Sequence, residues 1–434
     1  MLRTLSVSRF LGLALVAGLA TVSCGDDDDS TTPTAGTSGK GGTSSTGGKT
    51  GNGGKTGNGG TNAQAGTNPT AGTLNLSGGA PGEAGAGGMA GAGGAGVSDA
   101  MVMQTNLVFG EPAAAGAGGI GGAAAEGAAN ADDNLINGWG ISFDPTPATA
   151  TMFWVSAADS GVSTVYAPDG TPASLVVTIP SATAGETGHP TGQVFNTTTG
   201  FTADKFIFAT EDGLIAGWKT GTDAVMQVDH SADGASYKGL ALIGGTDPML
   251  AAANFHAGAV DVFDKTYTDV ATPMFVDPNP VAGYAPFNVA ELGGKVYVAY
   301  AKQDADKADE VQGAGLGYVN SFNVDGSFAA HLIARGGVLN APWGMALAPV
   351  GFTPAPGALI VGNFGDGMIH GFDASTGELM ANFTDTAGRP LVIDGLWGLT
   401  FGTKKASADL SKQLFFAAGP AEESRGLFGV LSAP

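Results

Sequence analysis

From about Met103 to Pro434, runs of aromatic and β-branched residues alternate with Gly, Pro, Asn and Asp at short spacing. Short apolar runs bounded by turn residues are the mark of strands, and no long 3.6-residue periodicity interrupts them. The pattern predicts an all-β body. Upstream, from Gly25 to about Val102, no hydrophobic periodicity exists, and Gly, Thr, Ser, Asn and Ala dominate. Such a segment cannot bury enough apolar area to offset chain entropy, so a disordered tether is expected. A second low-complexity stretch, Ala113 to Ala129, reads as a loop within the body.

Within the body a short element recurs six times, with a Gly or its substitute ahead of an apolar strand. The copies begin at Gly138-Trp139-Gly140, Pro190-Thr191-Gly192, Tyr237-Lys238-Gly239, Pro286-Phe287-Asn288, Pro342-Trp343-Gly344 and Leu396-Trp397-Gly398. They are spaced by about 50 residues, close to one propeller blade. A second strand follows each copy, such as Met249–Asn254 or Lys295–Tyr300, then a third. Five of the third strands end on an aromatic and a turn, as in Phe322-Asn323-Val324-Asp325-Gly326. The sixth copy reaches Leu427–Leu431 and the sequence ends. Its missing outer strand is predicted to be Thr105–Phe109, pairing with Leu427–Leu431 and closing the ring, which removes the exposed edges. The expected architecture is a six-bladed β-propeller of about 24 strands, with seven blades as the alternative. Innermost strands crowd the axis, which explains glycines there, and assigns Trp139, Trp343 and Trp397 to packing between blades, with ligand stacking as the alternative.

Composition adds the address. The 434 residues contain 74 Gly and one Cys, which excludes an intramolecular disulfide, a CxxC pair and a Cys-rich zinc site. That Cys24 follows Arg3, Arg9 and an apolar stretch from Phe10 to Val22, and Thr21-Val22-Ser23-Cys24 resembles a bacterial lipobox, with Thr21 replacing the usual Leu or Val. The expected organisation is a lipoprotein signal peptide at 1–23, the tether at 24–102 and the propeller at 103–434. Acylation of Cys24 would anchor the chain to the cell envelope, and Gly25 after it favours the outer membrane or cell surface. A Gly-rich coil of this length has an end-to-end distance of roughly 50 Å. Acids outnumber bases 39 to 18, and no Lys/Arg cluster exists, which argues against nucleic acid as a partner. A monomer is expected.

The repeat grammar resembles that of NHL and gluconolactonase-like six-bladed propellers. More specifically, the body is similar to an uncharacterised family of exported bacterial propeller proteins. The match is carried by Phe206-Ile207-Phe208-Ala209-Thr210-Glu211-Asp212-Gly213, Gly283-Tyr284-Ala285-Pro286-Phe287-Asn288, Leu339-Asn340-Ala341-Pro342-Trp343-Gly344 and Asp394-Gly395-Leu396-Trp397-Gly398-Leu399, among others. The resemblance implies the fold and brings no activity with it.

In a propeller, loops entering first strands and leaving second strands emerge around one channel mouth. Here those loops carry Asp159, Glu211, Asp212, Asn254, His256, Lys302, Gln303, Asp304, Asn363 and Asp366, joined by Asn134, Asn137, His189, Lys238, Tyr284, Asn340 and Asp394. Asn288, in the fourth copy's glycine position, belongs with them as a candidate for ligand binding. Glu211, Asp304 and Asp366 are the candidate ligands for Ca²⁺ or another divalent cation, because hard cations take oxygen donors. His189, His256 and Glu211 are the candidate catalytic groups. Asp212-Gly213 and Asp366-Gly367 are also ordinary turn chemistry. The longer, charged loop from Gln303 to Gly317 reads as a solvated loop, a lid over the mouth or a weak Ca²⁺ site. HExxH, P-loop, GxSxG and Rossmann signatures are missing. Two functions fit: a binding module for a small molecule, glycan or protein at the propeller face, or a lactonase-like, metal-dependent hydrolase or lyase.

Overall fold

A computed structural model of the protein describes residues 96–112, 127–146, 151–405 and 408–434. The signal peptide, Cys24 and nearly all of the tether lie outside the described residues, as does most of Ala113–Ala129. The described chain is all-β, with 25 strands in six sheets. Each sheet runs outward from an inner strand: β4 (Gly138–Ser142), β8 (Pro190–Phe195), β12 (Tyr237–Ile243), β15 (Tyr284–Leu292), β19 (Pro342–Leu347) or β23 (Leu396–Phe401). Second strands follow at β5 (Phe153–Ala157), β9 (Phe206–Thr210), β13 (Met249–Asn254), β16 (Lys295–Lys302), β20 (Leu359–Asn363) and β24 (Leu414–Ala418). This is the expected six-bladed propeller. Blade 3 has three strands rather than four, its outer position reduced to an isolated bridge between Phe263 and Asp269.

The ring closes as predicted. Strand β2 (Met103–Gly110) lies antiparallel to β25 (Gly426–Ser432), with Thr105 opposite Val430 and Phe109 opposite Leu427. The structure adds a second clasp. Ser98–Met101, inside the stretch read as tether, forms β1 and pairs in parallel with β22 (Leu379–Thr384), the outer strand of blade 5. One continuous segment therefore holds the outer edges of blades 5 and 6. Val102 between the two strands is fully buried and donates its N–H to Thr384 O.

The middle strands are largely apolar because both of their faces are buried. Side chains alternate across the sheet. In blade 1, Phe153 and Val155 pack toward blade 6, whereas Trp154 packs toward blade 2 on Phe206 and Trp218. The same alternation gives every junction between blades its own hydrophobic cluster. Outer turns repeat one device, in which an Asp carboxylate accepts the N–H two residues on, as in Asp169 with Thr171 and Asp373 with Ser375.

The glycines of the repeat make the waist of the ring. A Cβ on Gly140 would lie 2.6 Å from Thr191 O, on Gly192 2.3 Å from Leu240 N, and on Gly398 2.3 Å from Trp139 O. Each contact is to the inner strand of the next blade. A Cβ on Gly239 would meet Asn288 Oδ1 at 2.2 Å. Asn288 fills the fourth position and uses that space, donating from Nδ2 to Trp343 O at 2.7 Å while Oδ1 accepts Val289 N at 2.8 Å. All six inner strands also shift register against their second strands at this level. Such bulges twist a strand locally and free backbone groups from the ladder. Gly140→Ala and Gly398→Ala are each expected to lower stability by about 2 kcal/mol through overpacking. Gly244→Ala, where a Cβ meets nothing within 4 Å, is expected to change it little. Urea denaturation checks the contrast.

Candidate functional site

Aromatic side chains from the inner strands and the loops above them meet where the blades converge. Trp139 of blade 1 stacks on Trp397 of blade 6 at 3.5 Å and meets Trp343 of blade 5 edge-on at 5.7 Å. Phe364 stacks on Trp397 at 3.9 Å, and Phe287 of blade 4 approaches Trp397 at 5.7 Å. Blades 1 and 5, or 4 and 6, are not neighbours in the ring, so these contacts are made across the central axis. The three tryptophans therefore pack across the channel as well as between adjacent sheets, and they plug it. Trp343 Nε1 donates to Lys238 O at 2.9 Å, and Trp397 Nε1 donates to Asn137 Oδ1 at 3.0 Å.

Lys238, at the start of β12, is buried at the edge of this plug. Its Nζ lies 5.5 Å from the Trp139 ring centroid and 6.0 Å from that of Phe255, within cation–π range. The ammonium pairs with Glu211 and lies 3.6 Å from Asp309. Burial pulls the Lys238 ammonium down, but Glu211, Glu310 and Asp309 outweigh it and hold the group above its ordinary value. Glu310 sits beside Lys238, yet burial, reinforced by Glu423 and Asp309, pushes its carboxyl up to about 8. Burial, with Glu211 and Asp159, likewise pushes Glu423 up to about 7. One cation thus faces carboxyl groups from blades 2, 4 and 6.

Backbone strain supports the arrangement. Glu423 has φ 64° and ends a run of three left-handed residues after Pro420, and Asn137 has φ 52°. Asn137 Nδ2 donates to Glu423 Oε1 at 3.1 Å, so two strained residues hold each other in place. The 303–317 loop does not stand free. Gln303 and Glu310 bridge, Gln303 Nε2 donates to Phe255 O at 2.6 Å, and Gly313 N donates to Asn340 Oδ1 at 2.7 Å. These contacts bring Asp309 and Glu310 beside Lys238, with Asp309 itself exposed.

The other predicted residues fall in separate places. His189 and Asp212 form a pair at the rim: Asp212 Oδ2 accepts His189 N at 2.9 Å, and Oδ1 lies 3.3 Å from Nδ1. The Asp212 hydrogen bond, working against burial, holds the imidazole above its usual value. Asn340, Asn363 and Asp366 make their own network on blade 5, where Asn340 Nδ2 and Asn363 Nδ2 each donate to Asp366 at 3.1 Å. Asp304 caps its loop by accepting Ala308 N at 2.9 Å, and Asp394 accepts Ala421 N at 2.9 Å. His256 follows the buried Phe255 after β13, and Lys302 ends β16 opposite Tyr284. Asn288 is spent at the waist. Glu211, Asp304 and Asp366 do not converge, and among the described residues no three His, Cys, Asp or Glu side chains are placed to hold a metal ion. Glu423 was missed. It leaves the second strand of blade 6, and the rule that selected the other exits selects it too.

No family model matches the chain. An uncharacterised protein of Acanthamoeba polyphaga mimivirus is 31% identical over 321 residues, covering 70% of this chain and 76% of the relative. A second from the same virus is 31% identical over 323 residues, covering 70% and 82%. The chain belongs to the family of these viral proteins. Among solved structures, the α-L-arabinanase of Penicillium chrysogenum complexed with arabinobiose is similar at 11% identity and a TM-score of 0.48, covering 76% of this chain and 98% of that one. Both of these relatives are viral and uncharacterised, and the six-bladed fold is as expected.

The raised Glu310 carboxyl has a consequence for stability. Between its unfolded value of 4.5 and its folded value of about 8, the folded protein holds more proton than the unfolded chain. Stability therefore falls as pH rises through that window and levels off above it. Melting temperature is expected to drop from pH 5 to pH 8, and Glu310→Gln to flatten the drop. Scanning calorimetry across this range checks the sign.

Proposed function

We propose that the protein is a binding module whose plugged channel mouth receives a cationic group, an amine or guanidinium, of a small molecule or a peptide. The observation that carries this reading is the charge imbalance around Lys238. Among the described residues a single ammonium, already paired with Glu211, faces Asp309, Glu310 and Glu423, and Glu423 also feels Asp159. Two of these carboxyl groups keep their protons near neutral pH because no further positive charge offsets their burial. A ligand cation would supply that charge, and the half-buried carboxylates would accept its hydrogen bonds as charge-assisted contacts. An organic cation suits the mouth better than a bare divalent ion, since the carboxylates surround a lysine instead of forming an oxygen cage.

The same reading covers the address. The apolar N-terminal stretch and the lone Cys24 support export and lipid anchoring, with the Gly-rich tether holding the propeller clear of the membrane surface. Cys24→Ser is expected to move the protein from the membrane fraction to the soluble one. A second reading, a hydrolase or lyase, rests on the His189–Asp212 pair, whose imidazole also feels Glu211 and Asp159. It predicts lactone or ester turnover that His189→Ala abolishes.

Titration calorimetry with spermidine and with an arginine-rich peptide tests the main reading. Binding is expected to tighten from pH 6 to pH 8 and to release protons at pH 6, since the ligand displaces them from Glu310 and Glu423. Glu423→Gln is expected to weaken binding by about tenfold, the equivalent of about 1.4 kcal/mol. Absence of binding to either cation, or equal affinity in Glu423→Gln, would contradict it.

A further inference from the structure

The channel has a second half. Beyond the waist, on the side away from Lys238, lies a cavity of about 350 Å³. It is lined by the inner strands of all six blades, from Gly140–Phe143 in blade 1 round to Gly398–Thr400 in blade 6, with Trp343 reaching it from the plug. Nothing in the reading of the mouth uses this space.

The lining is chemically distinctive. Among the described residues its only carboxylate is Glu291, which accepts Gly294 N at 2.8 Å. The side-chain amides are already committed. Gln193 Nε2 donates to Gly140 O at 2.7 Å and to Trp154 O at 2.9 Å, its Oε1 accepts from Ser142 at 3.3 Å, and Asn288 is held at the waist. Besides Glu291, what remains polar is the hydroxyls of Ser142, Thr197 and Thr400 and the main chain. Each inner strand is the last in its sheet and has a strand partner on one side only, so its other edge carries N–H and C=O groups toward the axis. Six such edges surround the cavity. Between them stand aliphatic side chains, Ile141, Val194, Leu242 and Leu399.

A ligand for such a wall must both donate and accept from many directions and carry no net charge. An ammonium can only donate and a carboxylate can only accept, so each would leave half of the edge groups unmet. A hydroxyl does both. Its C–H faces would lie on the aliphatic walls, and the volume falls at the small end of ligand sites. We propose that this half of the channel binds a small neutral polyol of monosaccharide or cyclitol size. The inference is independent of the cationic reading of the mouth, from which the waist and the tryptophan plug separate it.

The test uses the full chain with myo-inositol and glucose as probes, followed by saturation-transfer NMR and calorimetry. At least one of them is expected to bind, with affinity falling at least tenfold in Thr400→Trp and in Ala290→Tyr. Both positions are half-buried and line the cavity, so a larger side chain there fills it. Spermidine titration of the same variants separates the two sites, since a folded, cavity-filled protein keeps whatever amine affinity the parent shows. Two variants on non-neighbouring blades guard against one that misfolds, and unchanged near-ultraviolet circular dichroism identifies the folded one. No binding of either polyol, or binding that survives in a folded variant, overturns the proposal.

Discussion

Six inner strands can share one axis only if their backbones approach closer than side chains allow. At Gly140, Gly192, Gly344 and Gly398 a single methyl group would collide with the next blade's main chain or with side chains packed on it. The fourth strand solves the same problem in another way. Asn288 occupies the space that Gly239 leaves and bonds the next blade's Trp343 carbonyl, replacing a close backbone contact with a side-chain bridge. Everything functional in the molecule follows from this waist. It brings non-neighbouring blades within reach of each other, and it divides the channel into two halves of different chemistry.

Above the waist, closeness concentrates charge. Lys238 on blade 3 reaches Glu211 on blade 2 and touches the Trp139 ring from blade 1, while Glu423 from blade 6 joins through Asn137. A buried ammonium surrounded by several carboxyl groups does not settle into simple pairs. Burial keeps part of the acid protonated, and the cluster holds a reserve of negative charge that an incoming cation can call out. Below the waist the inner strands line the open channel, and polarity there comes mainly from their main-chain edges. One architectural constraint thus yields a cluster of ionisable groups at one end and a cavity edged mainly by main chain, with Glu291, at the other.

Much of this was legible in the sequence because a propeller repeats its grammar. The spacing of Gly140 through Gly398 gave blade number, and the unpaired Leu427–Leu431 required a strand such as Thr105–Phe109. Strand β1 escaped notice because Ser98–Met101 is short and follows a long Gly-rich run; it is a strand only because blade 5 offers it an edge. The face carrying the mouth was legible from loop topology. Which residues meet there was not, since it depends on how loops fold back over the axis. Glu211 and Lys238 meet, whereas Asp304 and Asp366 are drawn into local caps and networks. Glu310 was visible only as part of a charged loop, and its inward turn comes from anchors at Phe255 and Asn340. The tryptophan plug was read as ordinary packing because periodicity shows that a residue is buried, not that it crosses the axis.

The crowding of charge at the mouth is the claim on which the functional account stands, and carbon-detected NMR titration of the glutamate side chains measures it directly. Assigned by Glu310→Gln and Glu423→Gln, two glutamate carboxyl groups should titrate at about 8 and about 7. If both instead lose their protons near the ordinary 4.5, the blades do not gather these groups around Lys238, and the account of the mouth is wrong.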